Sequence, residues 1–177
     1  MGKRANNNRI KNNQGFTLLE TIIAIAILAL AITGPLELAA RSIGLANVSK
    51  NQIVAFYLAQ EGMEYIKNIR DKNFLTPGAN WLDGFDSCRG ISGCYVDVPN
   101  DTISSCSSPC EFLKYHSTGH YYDYDLAGEN SVFTRMVKIT NPIGTNSDEA
   151  KVQVTVSWID KIGQKTFTIE DNIFNWK

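Results

Sequence analysis

Residues 13–36 read NQGFTLLETIIAIAILALAITGPL. The middle of this stretch, TIIAIAILALAI at 21–32, carries Ala, Ile and Leu on every face and shows no period of two. That is the pattern of a helix buried all round or set in lipid, not of a strand. From Phe16 to Leu36 a helix rises about 31 Å at roughly 1.5 Å per residue, close to the roughly 30 Å of a bilayer's hydrocarbon layer. Glu20 is the one charged residue in that span. A carboxylate at mid-bilayer costs about 2.5–3.5 kcal/mol on insertion scales. Two readings of Glu20 stand: it lies near the end of the span and reaches water, or a cation is brought to it.

The flanks orient the span. Residues 1–15 include Lys3, Arg4, Arg9 and Lys11 and no acid, a charge of +4. The 177-residue chain has 17 Lys+Arg against 18 Asp+Glu, net −1, so the remainder carries −5. A basic, polar start before an apolar run is a targeting signal. The positive flank keeps the N-terminus cytoplasmic and sends the rest across. An apolar share of 44% and a charged share of 20% exclude a wholly disordered chain. The length suits one modest domain with an appended segment. With the basic excess confined to the first 15 residues, no broad basic surface and no nucleic-acid partner is expected. A secretory signal cut after Leu38-Ala39-Ala40 competes as a reading, but it would put Glu20 inside the apolar region.

The run Gly15-Phe16-Thr17-Leu18-Leu19-Glu20, with its basic leader and the apolar run behind it, resembles the type IV prepilin signal. That signal is shared by type IV pilins, minor pilins, competence pseudopilins and type II secretion pseudopilins. The resemblance implies a membrane aspartyl prepilin peptidase that cuts between Gly15 and Phe16 and N-methylates Phe16, with Gly15 as the required small residue. It also implies that Glu20 pairs with the Phe16 amine of a neighbouring subunit, setting register rather than catalysing. Gly34-Pro35 resembles the helix break many pilins carry there, and a plain exit from the membrane would explain it equally. LAQEGMEYIKNIRD at 58–71 and the closing Ile173-Phe174-Asn175-Trp176 are similar to PilV-like minor pilins and the I-type pseudopilin of type II secretion. The closing segment also reads as a core-closing strand end.

Residues 37–71 contain no second proline and keep a helical period. On a face centred at Gly62 fall Val48, Ala55, Leu58, Ala59, Tyr65, Ile66 and Ile69, with Lys50, Gln60, Glu64, Lys67, Asn68 and Asp71 opposite. Ile53 and Tyr57 sit on the polar side, where they would either touch neighbouring helices in a filament or simply be wet. Asp71 to Gly78 should end the helix. Residues 79–130, rich in Gly, Ser, Asp, Asn and Cys, read as loops with short extended pieces near Gly93–Val98 and Tyr121–Tyr124. Strands are expected at 132–140, 151–159 and 164–170, separated by a turn at 141–149 and a hairpin at Asp160-Lys161-Ile162-Gly163. Val152, Val154, Val156 and Trp158, with Phe167 and Ile169, should cover the helix stripe. The expected class is α+β and pilin-like. A 1–15 leader precedes a transmembrane and filament-core helix at 16–36, and an amphipathic continuation at 37–71 packs on a small antiparallel sheet in a 72–177 extracytoplasmic head.

Cys88, Cys94, Cys106 and Cys110 follow the span, in the exported part. They suggest two disulfides, and of three possible pairings Cys88–Cys94 with Cys106–Cys110 is the simplest. Cys106, Cys110, His116 and His120 also offer a loosely spaced zinc set. Asp123 and Asp125 start a calcium-like loop that fails at Ala127 and Thr134. Tyr121, Tyr122 and Tyr124 read as a contact patch or as ordinary surface tyrosines. No phosphate loop, nucleophile elbow or dinucleotide fingerprint is present, so no catalytic residue, metal or cofactor is expected. The expected partners are prepilin peptidase, other pilin or pseudopilin subunits, and inner-membrane lipid before assembly.

Overall fold

The computed structural model describes residues 15–107, 109–140, 148–160 and 163–176. Most of the expected leader, most of the 141–149 turn, and Lys161-Ile162 of the expected hairpin lie outside the described residues. Helix α1 runs Leu18–Leu75 and contains Pro35. The break expected at Gly34-Pro35 is therefore not an interruption. Proline removes one N–H bond, but the flanking Ala, Leu and Ile keep enough helix propensity to carry the helix through. α1 ends within the expected stop at Asp71 to Gly78. It ends where the Thr76 N–H donates to Asn73 O at 3.2 Å and Gly78 takes φ +82°, with Pro77 blocking continuation.

The chain divides at Ala46/Asn47 into two compact units. In the first, every described residue from Gly15 to Ala46 is exposed. In the second, α1 lays one face on the sheet. Ala55, Leu58, Ala59, Gly62, Met63, Tyr65 and Ile66 are buried, Val48 and Ile69 are half-buried, and Lys50, Gln60, Glu64, Asn68 and Asp71 stay exposed. Of the buried helix residues the sequence stripe missed only Met63, because the sheet covers a wider arc than a single row.

Among the described residues the sheet has seven strands, all paired antiparallel. They are β1 (Cys94–Asp97), β2 (Thr102–Ser105), β3 (Phe112–His116), β4 (Tyr121–Asp123), β5 (Glu129–Thr140), β6 (Glu149–Asp160) and β7 (Gly163–Phe174). The long strands form a β5–β6–β7 meander. β6 occupies one edge of β5 through Phe133↔Trp158 to Thr140↔Lys151. The other edge is shared: β1 joins at Cys94↔Val137 and β3 at Phe112↔Thr134 and Lys114↔Asn130, with β2 and β4 outside them. The expected loop region at 79–130 thus contributes four short strands, of which β2 and β3 are not read from the sequence. β2 (TISS) has no apolar alternation, and β3 is irregular between Phe112 and Lys114.

Alternation holds where it is strong. Val152, Val154, Val156 and Trp158 are buried, as are Phe133, Val137 and Ile139. Each fully buried aliphatic or aromatic side chain contributes about 1.5–3 kcal/mol. Phe167 and Ile169 are only half-buried, since β7 is the outermost strand, while Ile173 is fully buried. Gly93 immediately precedes β1 at φ +67°, and a Cβ there would stand 2.6 Å from Val137 O, so only glycine lets the two strands meet.

Candidate functional site

The N-terminal segment is built around its first helical turn. Gly15, Phe16 and Thr17 precede the helix, which starts at Leu18. The Glu20 N–H donates to Thr17 Oγ1 at 3.3 Å, and the Thr21 N–H donates to Thr17 O at 3.2 Å. Thr17 is therefore the N-cap, and Thr17-Leu18-Leu19-Glu20 has the spacing of a capping box. Glu20 sits at the third helical position, where the helix dipole favours negative charge. Among the described residues no side chain pairs with the Glu20 carboxylate.

The surface behind it is apolar and uncovered. Phe16 and Leu18 are each 78% exposed, and Ile25, Leu30 and Leu36 are similarly bare. An 18-residue window of this helix reaches a mean hydropathy of 2.2, with none of it buried. The helix is long and apolar enough to cross a membrane. An exposed apolar surface of this extent is not stable in water and needs lipid or other helices against it.

In the second unit, Ile53 (57% exposed) and Tyr57 (64%) are bare on α1. The structure adds two aromatic residues that the helical period alone does not assign to this patch. Phe56 packs edge-on against Tyr57 and against Phe167 of β7, at 5.6 and 5.7 Å between ring centres. Ser49 and Gln52 complete a shallow groove of about 430 Å³ with no charged lining residue.

The cysteines form Cys88–Cys94 and Cys106–Cys110 disulfides. This removes the sulfur ligands of the zinc reading. Its histidines are also engaged elsewhere: His116 Nε2 lies 2.9 Å from Asp123 Oδ1, and Tyr115 Oη lies 2.8 Å from His120 Nδ1. Among the described residues no group of three or more His, Cys, Asp or Glu side chains could hold a metal ion. The calcium-like loop is closed by its own backbone. Asp123 Oδ1 accepts the Asp125 N–H and Asp125 Oδ1 accepts the Ala127 N–H. The three tyrosines do not form one patch. Tyr121 is exposed and stacks on His116 at 4.7 Å, whereas Tyr122 and Tyr124 pack against the core. Strand alternation places Tyr121 and Tyr122 on opposite faces.

Sequence reading missed Arg135, the largest fully buried side chain. Its Nη1 donates to Leu58 O at 3.0 Å and to Glu61 Oε2 at 2.5 Å, and its Nη2 donates to Val96 O at 2.7 Å. A signal for it existed: Arg135 shares the inward parity of Phe133, Val137 and Ile139.

Residues 10–34 match the family model described as the prokaryotic N-terminal methylation motif. No curated protein and no solved structure matches the chain. The match identifies a type IV pilin-like prepilin signal, the mark of a prepilin peptidase substrate. It points to a structural subunit rather than an enzyme.

Proposed function

We propose that this chain is a minor pilin or pseudopilin, a structural subunit of a type IV pilus-like or type II secretion filament. The reading starts from the methylation motif at residues 10–34. The prepilin is held in the cytoplasmic membrane by the first part of α1, with the N-terminus cytoplasmic and the head exported. Prepilin peptidase cuts between Gly15 and Phe16 and methylates the Phe16 amine. The apolar helix then leaves lipid for a bundle of sister helices, and Glu20 meets a neighbour's Phe16 ammonium, which offsets the cost of holding a carboxylate away from water. Ile53, Phe56, Tyr57 and Phe167 would add contacts from the second unit. The minor-pilin reading rests on the phrases at 58–71 and 173–176 and on the disulfide-bearing head.

The observation that carries the proposal is the motif followed directly by an uncovered apolar helix. The test is the mass and N-terminal sequence of the protein recovered from cells that contain the peptidase. A chain beginning at N-methylated Phe16 is expected. A chain beginning near Arg41 would mean a secreted module that does not polymerise, and the proposal would fall.

A further inference from the structure

Cleavage between residues 15 and 16 raises a local problem. The chain beyond Leu18 is an apolar run, and nothing in its pattern tells the helix where to begin. A peptide bond wound into a helix has its groups tied to the next turn and does not lie extended in a protease cleft. The scissile bond therefore depends on whatever stops the helix short of it.

The structure offers one device for this. Helical geometry starts at Leu18, two residues past Phe16, and the stop is Thr17. Its side-chain Oγ1 accepts the Glu20 N–H at 3.3 Å while its carbonyl accepts the first intrahelical bond, from the Thr21 N–H, at 3.2 Å. An N-cap residue has non-helical backbone angles, so a stable cap at 17 keeps the residues before it out of the helix. Upstream, Gly15 ranks with Thr as a cap and Asn13 above both, and a helix capped at Gly15 would take Phe16, or one capped at Asn13 both Gly15 and Phe16, into its first turn. Gly15 has open space around it, with nothing within 4 Å of a built Cβ, so packing does not hold it extended.

We infer that Thr17 is a positioning residue for prepilin cleavage. By capping α1 it fixes the helix start at Leu18 and leaves the Gly15–Phe16 bond non-helical for the peptidase. The inference rests on the proposed processing and adds a reason for the hydroxyl at its second mature position. The cap bond comes from the backbone N–H of Glu20, not from its carboxylate, so any residue at position 20 keeps it.

The test is cleavage of the full-length precursor in membranes by prepilin peptidase, comparing Thr17→Ser, Thr17→Asn, Thr17→Val and Thr17→Ala. Val keeps the shape of Thr and loses the cap, whereas Asn keeps the cap and changes the shape. Ser and Asn are expected to be cut at the wild-type rate or faster. Val and Ala are expected to lose about fivefold in kcat/KM, the factor to which a cap worth about 1 kcal/mol converts. If Val is cut like wild type, or Asn as slowly as Ala, the peptidase reads the Thr17 side chain directly or ignores it, and the inference is overturned. If the wild-type precursor is not cut after Gly15 at all, the processing proposal itself fails, a separate and visible outcome.

Discussion

The guanidinium of Arg135, fully buried on β5, meets the carboxylate of Glu61 on α1 at 2.5 Å. The same guanidinium donates to carbonyls of α1 (Leu58) and β1 (Val96), so one side chain ties three elements together. A buried cation is tolerable only when most of its donors are used; here the helix supplies both a charge and a carbonyl to the two terminal nitrogens, and Nε is left without a hydrogen-bond partner.

Removing that cation should be costly. Arg135→Ala leaves Glu61 without its partner, takes one donor from each of two carbonyls and leaves a cavity beneath the helix. We expect a loss of about 3–5 kcal/mol, read by chemical denaturation of the detergent-solubilised protein. Glu61→Gln, half in solvent and still able to accept, should cost less. Equal losses for the two variants would contradict this account.

Gly62 is buried where the helix packs on the sheet. A Cβ there would stand 3.2 Å from Val154 Cγ1 and 3.3 Å from Arg135 Cδ. Gly62→Leu should destabilise by about 1–3 kcal/mol through overpacking, despite the better helix propensity of leucine. A melting temperature at or above wild type would refute the close fit.

The disulfides differ in setting. Cys88 and Cys94 are fully buried and join the core, whereas Cys106 and Cys110 close a shorter loop at its margin. Each closure stabilises by about 2 kcal/mol in the chain-entropy model. Replacing Cys88 and Cys94 together by Ser also buries two hydroxyls, so that pair should lower the melting temperature more than the same change at Cys106 and Cys110. The reverse order would show that the marginal loop, not the core staple, limits stability.

Alkaline pH should loosen the head through Tyr65. Burial first, then its hydrogen bond to Asp101 at 3.0 Å, push this phenol well above its ordinary value near 10. Burial likewise raises Tyr124, to about 12. A raised folded value means the stability is fully present below about pH 10 and is lost as pH rises through the folded values, because the unfolded chain releases protons that the native one holds. Tyr65→Phe should flatten this decline in unfolding experiments run from about pH 9 to pH 11. An unchanged slope would remove Tyr65 from the effect.

Processing and assembly should separate genetically. Gly15→Val is expected to block cleavage, seen as a retained leader on a gel or by mass. Glu20→Ala is expected to be cleaved normally and to be missing from sheared filament fractions. Normal incorporation of Glu20→Ala would exclude the ammonium–carboxylate pairing.

The sequence alone determined what depends on order along the chain. The span from Phe16, the cleavage signal, the helix stripe from Ala55 to Ile66 and the alternation from Val152 to Trp158 are all local patterns, because helix and strand periods fix which side chains share a face before any tertiary contact forms. Tertiary structure decided the rest. β2 and β3 carry little apolar alternation and are strands because β1 and β5 offer them open edges. Four cysteines allow three pairings, and the fold selected one. Arg135 is buried because folding brings Leu58 O, Glu61 and Val96 O around it, acceptors 39 to 77 residues away in the chain. Such choices are made by contacts between distant segments, whose energy is absent until the chain has closed on itself.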